Sequence, residues 1–267
     1  MVTVSTMARS SSSRDISFDT DFGVARIRWD GPRATLFLGE VESSAVDTSD
    51  PTYLEFEYMQ HMDAVVSSLW GPQDRFRALH VGGAACALAC AWSSSHPKSR
   101  HVAVEVDRSL AEQVREHFPI PKAPQVKIRV GDGRAVLDGT REGSFDVIVR
   151  DAFASGVTPD HLRTVECADR ARRALTASGV YLVNCAHGGP ANARQDVAAL
   201  QDVFPFVASI QDPKVGRGGR RGNVVALASA ADVVDVDQID RALRMLALPA
   251  RITRPAELTR WVAGTPT

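Results

Sequence analysis

The chain of 267 residues has almost no net charge, few cysteines and no long apolar run. Its 31 basic and 32 acidic residues leave a formal net charge of −1, which offers no electrostatic basis for binding nucleic acid or a membrane surface. A membrane-spanning helix needs roughly 18 apolar residues in succession, so we predict none. Residues 1–14 are rich in serine and threonine and lack the apolar centre of a signal peptide, so we predict a disordered tail there.

The four cysteines show no spacing typical of a metal site. Cys86 and Cys90 lie four residues apart on a predicted helix, and a zinc ion would need two further ligands nearby. Buried, reduced thiols are the simpler interpretation. We therefore predict a cytoplasmic protein without a bound metal, because thiols stay reduced in that compartment.

The sequence does contain a series of short apolar segments that each end in a glycine or an acidic residue. These segments cover residues 77–81, 102–104, 126–130 and 145–149, and they lead into Gly82-Gly83, Glu105, Gly131-Asp132-Gly133 and Asp151. In an open α/β sheet the carboxyl ends of parallel strands form the ligand crevice. Glycines let a ligand approach the backbone, and an acid at the second strand end can accept bonds from both ribose hydroxyls. The pattern predicts a nucleoside-binding half-sheet.

The order of the predicted elements indicates a parallel sheet with helices on both faces. Helices are predicted at residues 84–95, 109–118, 134–137, 159–175 and 191–203, alternating with the strands above and with a fifth strand at 179–185. The strands at 204–210 and 223–229 have no helix between them, so the last strand should be antiparallel to its neighbour. This arrangement predicts a seven-stranded α/β sheet like that of class I S-adenosylmethionine-dependent methyltransferases, which is a Rossmann-like fold.

Smaller elements flank this sheet. Alternating residues around the turn Asp30-Gly31 predict a hairpin, and a short strand should follow and end near Ser44. Asp50 and Pro51 predict the start of a helix that ends before Gly71. Two more helices are predicted at 237–246 and 256–262. We divide the chain into a tail at 1–14, a β region with a linking helix at 15–70, a nucleoside-binding domain at 71–232 and C-terminal helices at 233–267.

Together these motifs resemble the polyamine aminopropyltransferase (spermidine synthase) family, and within it the short actinobacterial-type proteins. The resemblance covers residues 26–229, and the order and spacing of the motifs match as a set. It rests on the β hairpin, on segments 39–44 and 56–59, and on the motifs at 82–83, 105–107, 131–133 and 151. The hairpin and the helix that carries Tyr58 distinguish this family from ordinary methyltransferases.

The resemblance implies a role for each matched residue. The co-substrate would be decarboxylated S-adenosylmethionine or S-adenosylmethionine, the acceptor a small amine or other small molecule, and no metal would be needed. Family members often pair through the N-terminal β region, which implies a homodimer. Gly82 and Gly83 would line the nucleoside, Glu105 would hold the ribose, Asp132 and Gly133 would contact the adenine, Asp151 would form the floor of the reaction centre, and Tyr58 and Glu42 would line the amine side.

Several of these acids also have plain structural interpretations. Glu105 would be a surface acid, Asp132 would cap the helix predicted after it, and Asp151 would cap the loop that follows its strand. His187, which follows the fifth strand, is a further candidate base, with an ordinary surface histidine as the alternative.

The sequence departs from the family where the family has its chemistry. The family loop Gly-Gly-Gly-Asp-Gly holds the aminopropyl ammonium through its Asp, and here Ala85 stands at that position. The family loop Asp-Ser-Ser-Asp deprotonates the attacking amine through its second Asp, and here Ala154 stands there. Glu42 replaces a glutamine of the family.

We therefore predict a spermidine synthase-like transferase in which ordinary spermidine synthase activity is weak or absent. Two alternatives remain open from the sequence. One is a small-molecule methyltransferase, which the missing acid at Ala85 favours, and the other is a non-catalytic nucleoside-binding homologue, which Ala154 favours.

Overall fold

Two sheets make up the β structure of the protein. The computed structural model describes residues 14–154, 156–231 and 234–265, so the predicted tail lies outside the described residues except for Arg14. The first sheet is antiparallel throughout and has its strands in chain order. It comprises β1 (Arg14–Thr20), β2 (Gly23–Asp30), β3 (Arg33–Leu38) and β4 (Val41–Asp47). The hairpin predicted around Asp30 and Gly31 is formed by β2 and β3, and β1 was not predicted.

The second sheet confirms the predicted fold class. It comprises β5 (Arg77–Val81), β6 (Arg100–Glu105), β7 (Val126–Val130), β8 (Phe145–Arg150), β9 (Leu175–His187), β10 (Phe206–Gln211), β11 (Gly222–Ser229) and β12 (Arg251–Thr253). Its strand order is β12-β10-β11-β9-β8-β5-β6-β7. Strands β5 to β9 are parallel, and β11 runs antiparallel between β9 and β10, as the helix-free connector predicted. The short edge strand β12 is an eighth strand beyond the seven predicted.

Helices cover both faces of the second sheet and bury an apolar layer on each. The helices are α1 (Glu57–Leu69), α2 (Ala87–Ser95), α3 (Arg108–His117), α4 (Gly133–Asp138), α5 (Val165–Ala174), α6 (Ala193–Gln201), α7 (Val236–Arg244) and α8 (Pro255–Val262). Helices α4, α5, α6 and α8 pack on one face, and α1, α2 and α7 pack on the other. A third apolar cluster joins the first sheet to α2 and α3. Within the described residues, no helix is long and apolar enough to cross a membrane.

Two predicted helix starts are wrong. The helix predicted from Asp50 begins at Glu57, because the Asp50 carboxylate accepts bonds from the Thr52 amide (3.0 Å) and hydroxyl (2.6 Å) and closes a local turn. The helix predicted over 159–175 is broken. A short 3-10 turn (Asp160–Leu162) comes first, and α5 then starts after Thr164, whose hydroxyl accepts from the Cys167 amide at 3.2 Å.

Candidate functional site

The carboxyl ends of the parallel strands open into a cavity of about 610 Å³. The β4 strand and the start of α1 close it from the side of the first sheet. Its lining includes every residue that the sequence predicted for the site, namely Glu42, Tyr58, Gly82, Gly83, Glu105, Asp132, Gly133 and Asp151. Their joint position follows from the topology, because the ends of β5 to β8 meet at one edge of the sheet.

Two of these glycines are required because neighbouring strand ends leave no room for a Cβ atom. Gly82 has φ of +101°, and a Cβ there would lie 2.1 Å from the carbonyl oxygen of Asp151. A Cβ on Gly133 would lie 2.4 Å from Cγ1 of Val81. A larger residue at either position would push neighbouring strand ends apart and deform the cavity.

Glu105 holds the glycine loop against the end of β6. Its Oε2 accepts bonds from the amides of Ala84 (2.9 Å) and Gly83 (3.3 Å), and its Oε1 accepts from the Asp107 amide (3.1 Å). The acid is therefore more than a surface charge. It sets the shape of the loop and also lines the cavity.

The turn between β1 and β2 is tied to the same strand end. Asp107 caps α3 by accepting from the Leu110 amide at 2.7 Å, and it also accepts from the Asp21 amide at 3.2 Å. Asp21 in return accepts from the Arg108 amide at 2.9 Å and from the Ser109 hydroxyl at 2.6 Å. A continuous series of hydrogen bonds thus runs from the first turn of the chain through Asp107 to Glu105.

Asp132 serves as a helix cap and also faces the cavity. Its Oδ1 accepts from the Ala135 amide at 2.9 Å, which caps α4, and its Oδ2 lies 2.8 Å from Nε2 of His161. Partial burial raises the pKa of this carboxyl, but the Ala135 amide and His161 outweigh burial and leave the pKa below its usual value. His161 lines the cavity and was not predicted from the sequence.

Asp151 is at the floor of the cavity, between two polar side chains. The Tyr58 hydroxyl donates to Oδ2 at 2.7 Å, and the Asn184 amide donates to Oδ1 at 2.9 Å. Burial raises the pKa of Asp151, although both hydrogen bonds act in the opposite direction. Burial and the neighbouring carboxylate also raise the pKa of Tyr58 well above its usual value. The cluster is a partly buried carboxylate with more affinity for a proton than an exposed one.

Asn184 adds an unpaired acceptor to this floor. Its side chain is 2% exposed and lines the cavity, and its Oδ1 has no hydrogen-bond partner among the described residues. Leaving such an acceptor unpaired costs about 1–3 kcal/mol, which a bound N–H group would recover. Sequence reasoning missed this residue because a single asparagine within an apolar strand gives no local signal.

A buried ion-pair network supports the floor from below. Arg150, which precedes Asp151, lies 2.7 Å from Asp196 and also donates to the carbonyl of Leu162 at 3.0 Å. Arg163 shares Asp196 at 2.8 Å. Burial raises the pKa of Asp196, but the two arginines outweigh it and the net pKa is lowered. The network connects β8, α6 and the segment before α5.

The two alanines that replace family acids have different surroundings. Ala154 lines the cavity, in a loop closed by a bridge to Val157. Ala85 is fully buried in the apolar cluster between the first sheet and α2, and it is not part of the cavity lining. The helix predicted over 84–95 begins only at Ala87, so Ala85 precedes it.

The glycine loop is strained on both sides of Ala85. Ala84 has φ of +38° and Cys86 has φ of +57°, a region that residues with a Cβ rarely occupy. At both positions the matching family loop has glycine. Because residues with a Cβ occupy these two positions, the backbone conformation next to the predicted nucleoside site is unfavourable.

Replacing Ala84 by glycine should therefore stabilise the fold. The left-handed conformation costs a residue with a Cβ about 1–2 kcal/mol, part of which the greater chain entropy of glycine offsets. We expect Ala84→Gly to raise the free energy of unfolding in urea by roughly 0.5–1 kcal/mol. The matched control is Ala242→Gly within α7, which should lower it by about 1 kcal/mol. Destabilisation by both substitutions would contradict the assigned strain.

Two histidines, the candidate base His187 and the buried His61, do not reach the cavity. His187 Nδ1 accepts from the Ala193 amide at 3.3 Å, and its ring packs on Trp261. His61 is buried in α1, where burial lowers its pKa to about 4. Neither residue is in the cavity lining. Among residues 14–154, 156–231 and 234–265, no group of three or more His, Cys, Asp or Glu side chains is arranged to hold a metal ion.

Known proteins are similar to this chain in fold and in sequence. A probable spermidine synthase from Corynebacterium glutamicum is 32% identical, with a TM-score of 0.84 and coverage of 93% of both chains. A spermidine synthase solved with the transition state analogue AdoDATO is 16% identical, with a TM-score of 0.61 and coverage of 93% of this chain and 84% of that one. A polyamine aminopropyltransferase from Vibrio vulnificus is 26% identical over 110 residues, which are 40% of this chain and only 37% of that relative. No family model matches the sequence.

Proposed function

Because the chain belongs to the spermidine synthase-like (polyamine aminopropyltransferase) family, we propose that it transfers an alkyl group from a sulfonium nucleoside to a small amine. The donor we propose is decarboxylated S-adenosylmethionine, with S-adenosylmethionine as the second candidate. The spermidine synthase that binds AdoDATO supports an adenosyl-type donor. We further propose that Glu105 holds the ribose, that Asp132 and Gly133 contact the adenine, and that Gly82 and Gly83 line the nucleoside.

The observation that carries the proposal is the group of Tyr58, Asp151 and Asn184. A neutral amine that attacks the donor needs an acceptor for its N–H bonds and a base for its proton. The unpaired Oδ1 of Asn184 offers the first, and the carboxylate of Asp151, 2.9 Å from the Asn184 amide, offers the second. The raised pKa of Asp151 makes it a stronger base than an exposed aspartate.

The proposed reaction is a single displacement. The amine nitrogen forms a bond to the carbon next to the sulfonium, and the carbon–sulfur bond breaks. Its electron pair goes to sulfur, which becomes a neutral thioether in the product nucleoside. The amine proton passes to Asp151. The positive charge on sulfur already provides the leaving group, so the protein has to supply position and a base.

The ribose role of Glu105 is tested by nucleoside binding. We expect Glu105→Ala to weaken the binding of methylthioadenosine by about ten- to a hundredfold, because a charge-assisted hydrogen bond contributes roughly 1.5–3 kcal/mol. Titration calorimetry measures this affinity. The control is Glu112→Ala, an exposed acid on α3. Equal affinity of Glu105→Ala and the parent protein would mean that the ribose lies elsewhere.

Ordinary spermidine synthase activity should be weak, and Ala154 should be the local reason. We expect Ala154→Asp to increase spermidine formation from putrescine and decarboxylated S-adenosylmethionine at least several-fold, because it adds to the cavity lining the acid that the family has at this position. Spermidine formed per enzyme is the readout. Ala85→Asp makes the same chemical change in the apolar cluster, where it should destabilise the fold without raising activity. Robust turnover by the unmodified protein would show that Asp151 already suffices.

The choice between the two donors follows from a direct assay. The protein is incubated with each sulfonium nucleoside and a mixture of small amines, and the thioether nucleoside that forms is quantified. Methylthioadenosine indicates aminopropyl transfer, and S-adenosylhomocysteine indicates methyl transfer. Absence of both thioethers, from a protein that binds them, would contradict the proposed transferase and favour a nucleoside-binding role.

A further inference from the structure

The amine side of the cavity is mainly apolar. Tyr58, which bonds to Asp151, stacks its ring on Phe56 with centroids 5.9 Å apart. Met59 follows Tyr58 on α1, and Phe153 follows two residues after Asp151. These side chains line the cavity together with Val41 of β4. We call Val41, Phe56, Met59 and Phe153 the apolar wall.

The apolar wall is partly open to solvent. Val41 is 52% exposed and Phe153 is 37% exposed, although both are large apolar side chains. Exposed apolar side chains that converge on one cavity are typical of a ligand site, whereas single ones scattered over a surface need no explanation. A bound molecule would cover them.

Few acidic side chains of the cavity lining are available to bind a second positive charge. Glu105 accepts three backbone amides, and Asp132 pairs with an amide and His161. Asp151 lies at the floor, where the reacting amine must be. Glu42 is the remaining acid of the lining, and it is exposed to water, where ion pairs contribute little.

We propose that the acceptor is a primary monoamine with an apolar tail, and this rests on the proposed alkyl transfer. The amino group lies at Asp151 and Asn184, and the tail lies on the apolar wall. A second ammonium group at the far end of a diamine would be desolvated against Phe56, Met59 and Phe153 without a buried acid to pair with it. A terminal methyl group at the same place gains from the same contacts.

The reaction is the displacement described above, with this acceptor. The primary amine nitrogen forms the new carbon–nitrogen bond, and the sulfonium carbon–sulfur bond breaks to give the thioether nucleoside. The amine loses one proton to Asp151. The product is a secondary amine that keeps the apolar tail.

Two matched pairs of amines test the acceptor class. Pentylamine and putrescine have the same chain length and differ in a terminal methyl or ammonium group, as do hexylamine and cadaverine. We expect kcat/KM, measured as thioether nucleoside released, to be higher for the monoamine of each pair by about tenfold or more. A diamine that equals or exceeds its partner would overturn the inference and leave alkyl transfer standing.

Binding separates this inference from the proposed function. Calorimetric titration of the same four amines into protein saturated with methylthioadenosine reports acceptor preference whether or not turnover occurs. Tighter binding of the monoamines supports the inference. Tighter binding of the diamines overturns it. If the monoamines bind more tightly but no amine is turned over, the result would instead contradict the proposed alkyl transfer.

A substitution in the apolar wall should change the preference. Val41→Asp places an acid on the wall at a half-exposed position, so we expect it to lower the ratio of pentylamine to putrescine affinity by several-fold. Val24→Asp is the matched control, because Val24 is a similarly exposed valine of the same sheet (57%) that does not line the cavity. An unchanged ratio in Val41→Asp, or the same change in both variants, would contradict the assignment of the wall.

Discussion

Replacing Asp151 by asparagine is expected to slow alkyl transfer by about 10²–10⁴-fold, the usual contribution of a positioned base. The substitution keeps the shape of the side chain. Tyr58 can still donate to the new carbonyl oxygen, and Asn184 can rotate its amide so that its oxygen meets the new NH₂ group. We therefore expect methylthioadenosine binding and the free energy of unfolding to change little. Single-turnover kinetics with a saturating donor isolates the chemical step.

The pH dependence provides a second readout of the same residue. Burial raises the pKa of Asp151, so the carboxylate is lost at a higher pH than for an exposed aspartate. We expect the rate of the parent protein to fall as the pH drops through that raised pKa. Asp151→Asn should have no such acidic limb. If Asp151→Asn reacts at a rate within a few-fold of the parent and keeps the acidic limb, the base is a different residue.

Replacing Asp196 by alanine is expected to lower the free energy of unfolding by about 3–5 kcal/mol, because it leaves a buried arginine without its carboxylate. Arg150 is 3% exposed and Asp196 is 5% exposed, with 2.7 Å between their charged atoms. Urea unfolding measures the loss. The control is Asp138→Ala, which breaks the more exposed ion pairs with Arg134 and Arg170 and should cost about 1 kcal/mol or less. Equal losses would mean that burial adds nothing to this pair.

The sign of the pH effect follows from the lowered pKa of Asp196 in the folded protein. Its contribution to stability is complete above the pKa of an unfolded aspartate, about 3.9, and is lost as the pH falls through the lower folded pKa. The difference in stability between the parent and Asp196→Ala should therefore shrink in acid.

The strands β5, β6 and β8 were predictable because each is a mostly buried segment that leads into glycine or an acid, and β7 was predictable because its apolar residues alternate with cations before Gly131. Two strands, β1 and β12, escaped prediction for different reasons. In β12 only three residues pair with β10, so tertiary contacts rather than local pattern define it. In β1, Ile16 and Phe18 alternate with polar residues, but the strand directly follows a serine-rich segment that suggests a tail.

The two wrong helix starts have a common cause. Asp50-Pro51 and Thr158-Pro159 both place a residue with capping ability before proline, and in each case the turn that follows does not continue into the helix. The apolar periodicity distinguishes an isolated turn from the start of a helix. In the first helix it becomes regular at Tyr58, next to the observed start at Glu57.

Cavity residues were predictable where they end a strand, and not where only the packing reveals them. A short turn places His161 in the cavity lining. Asn184 is a single amide side chain with apolar neighbours along its strand. The burial of Ala85 depends on the left-handed backbone of Ala84 and Cys86, which a sequence without glycine at those positions does not suggest.

The hydrogen bonds from Asp21 through Asp107 to Glu105 connect the turn between β1 and β2 to the proposed nucleoside site. Docking of that turn and occupancy of the site are then linked equilibria. If the docked turn increases nucleoside affinity by a given free energy, the bound nucleoside stabilises the docked turn by the same amount. If the proposed ribose role of Glu105 holds, we expect the N-terminal sheet to respond to the co-substrate through Asp107.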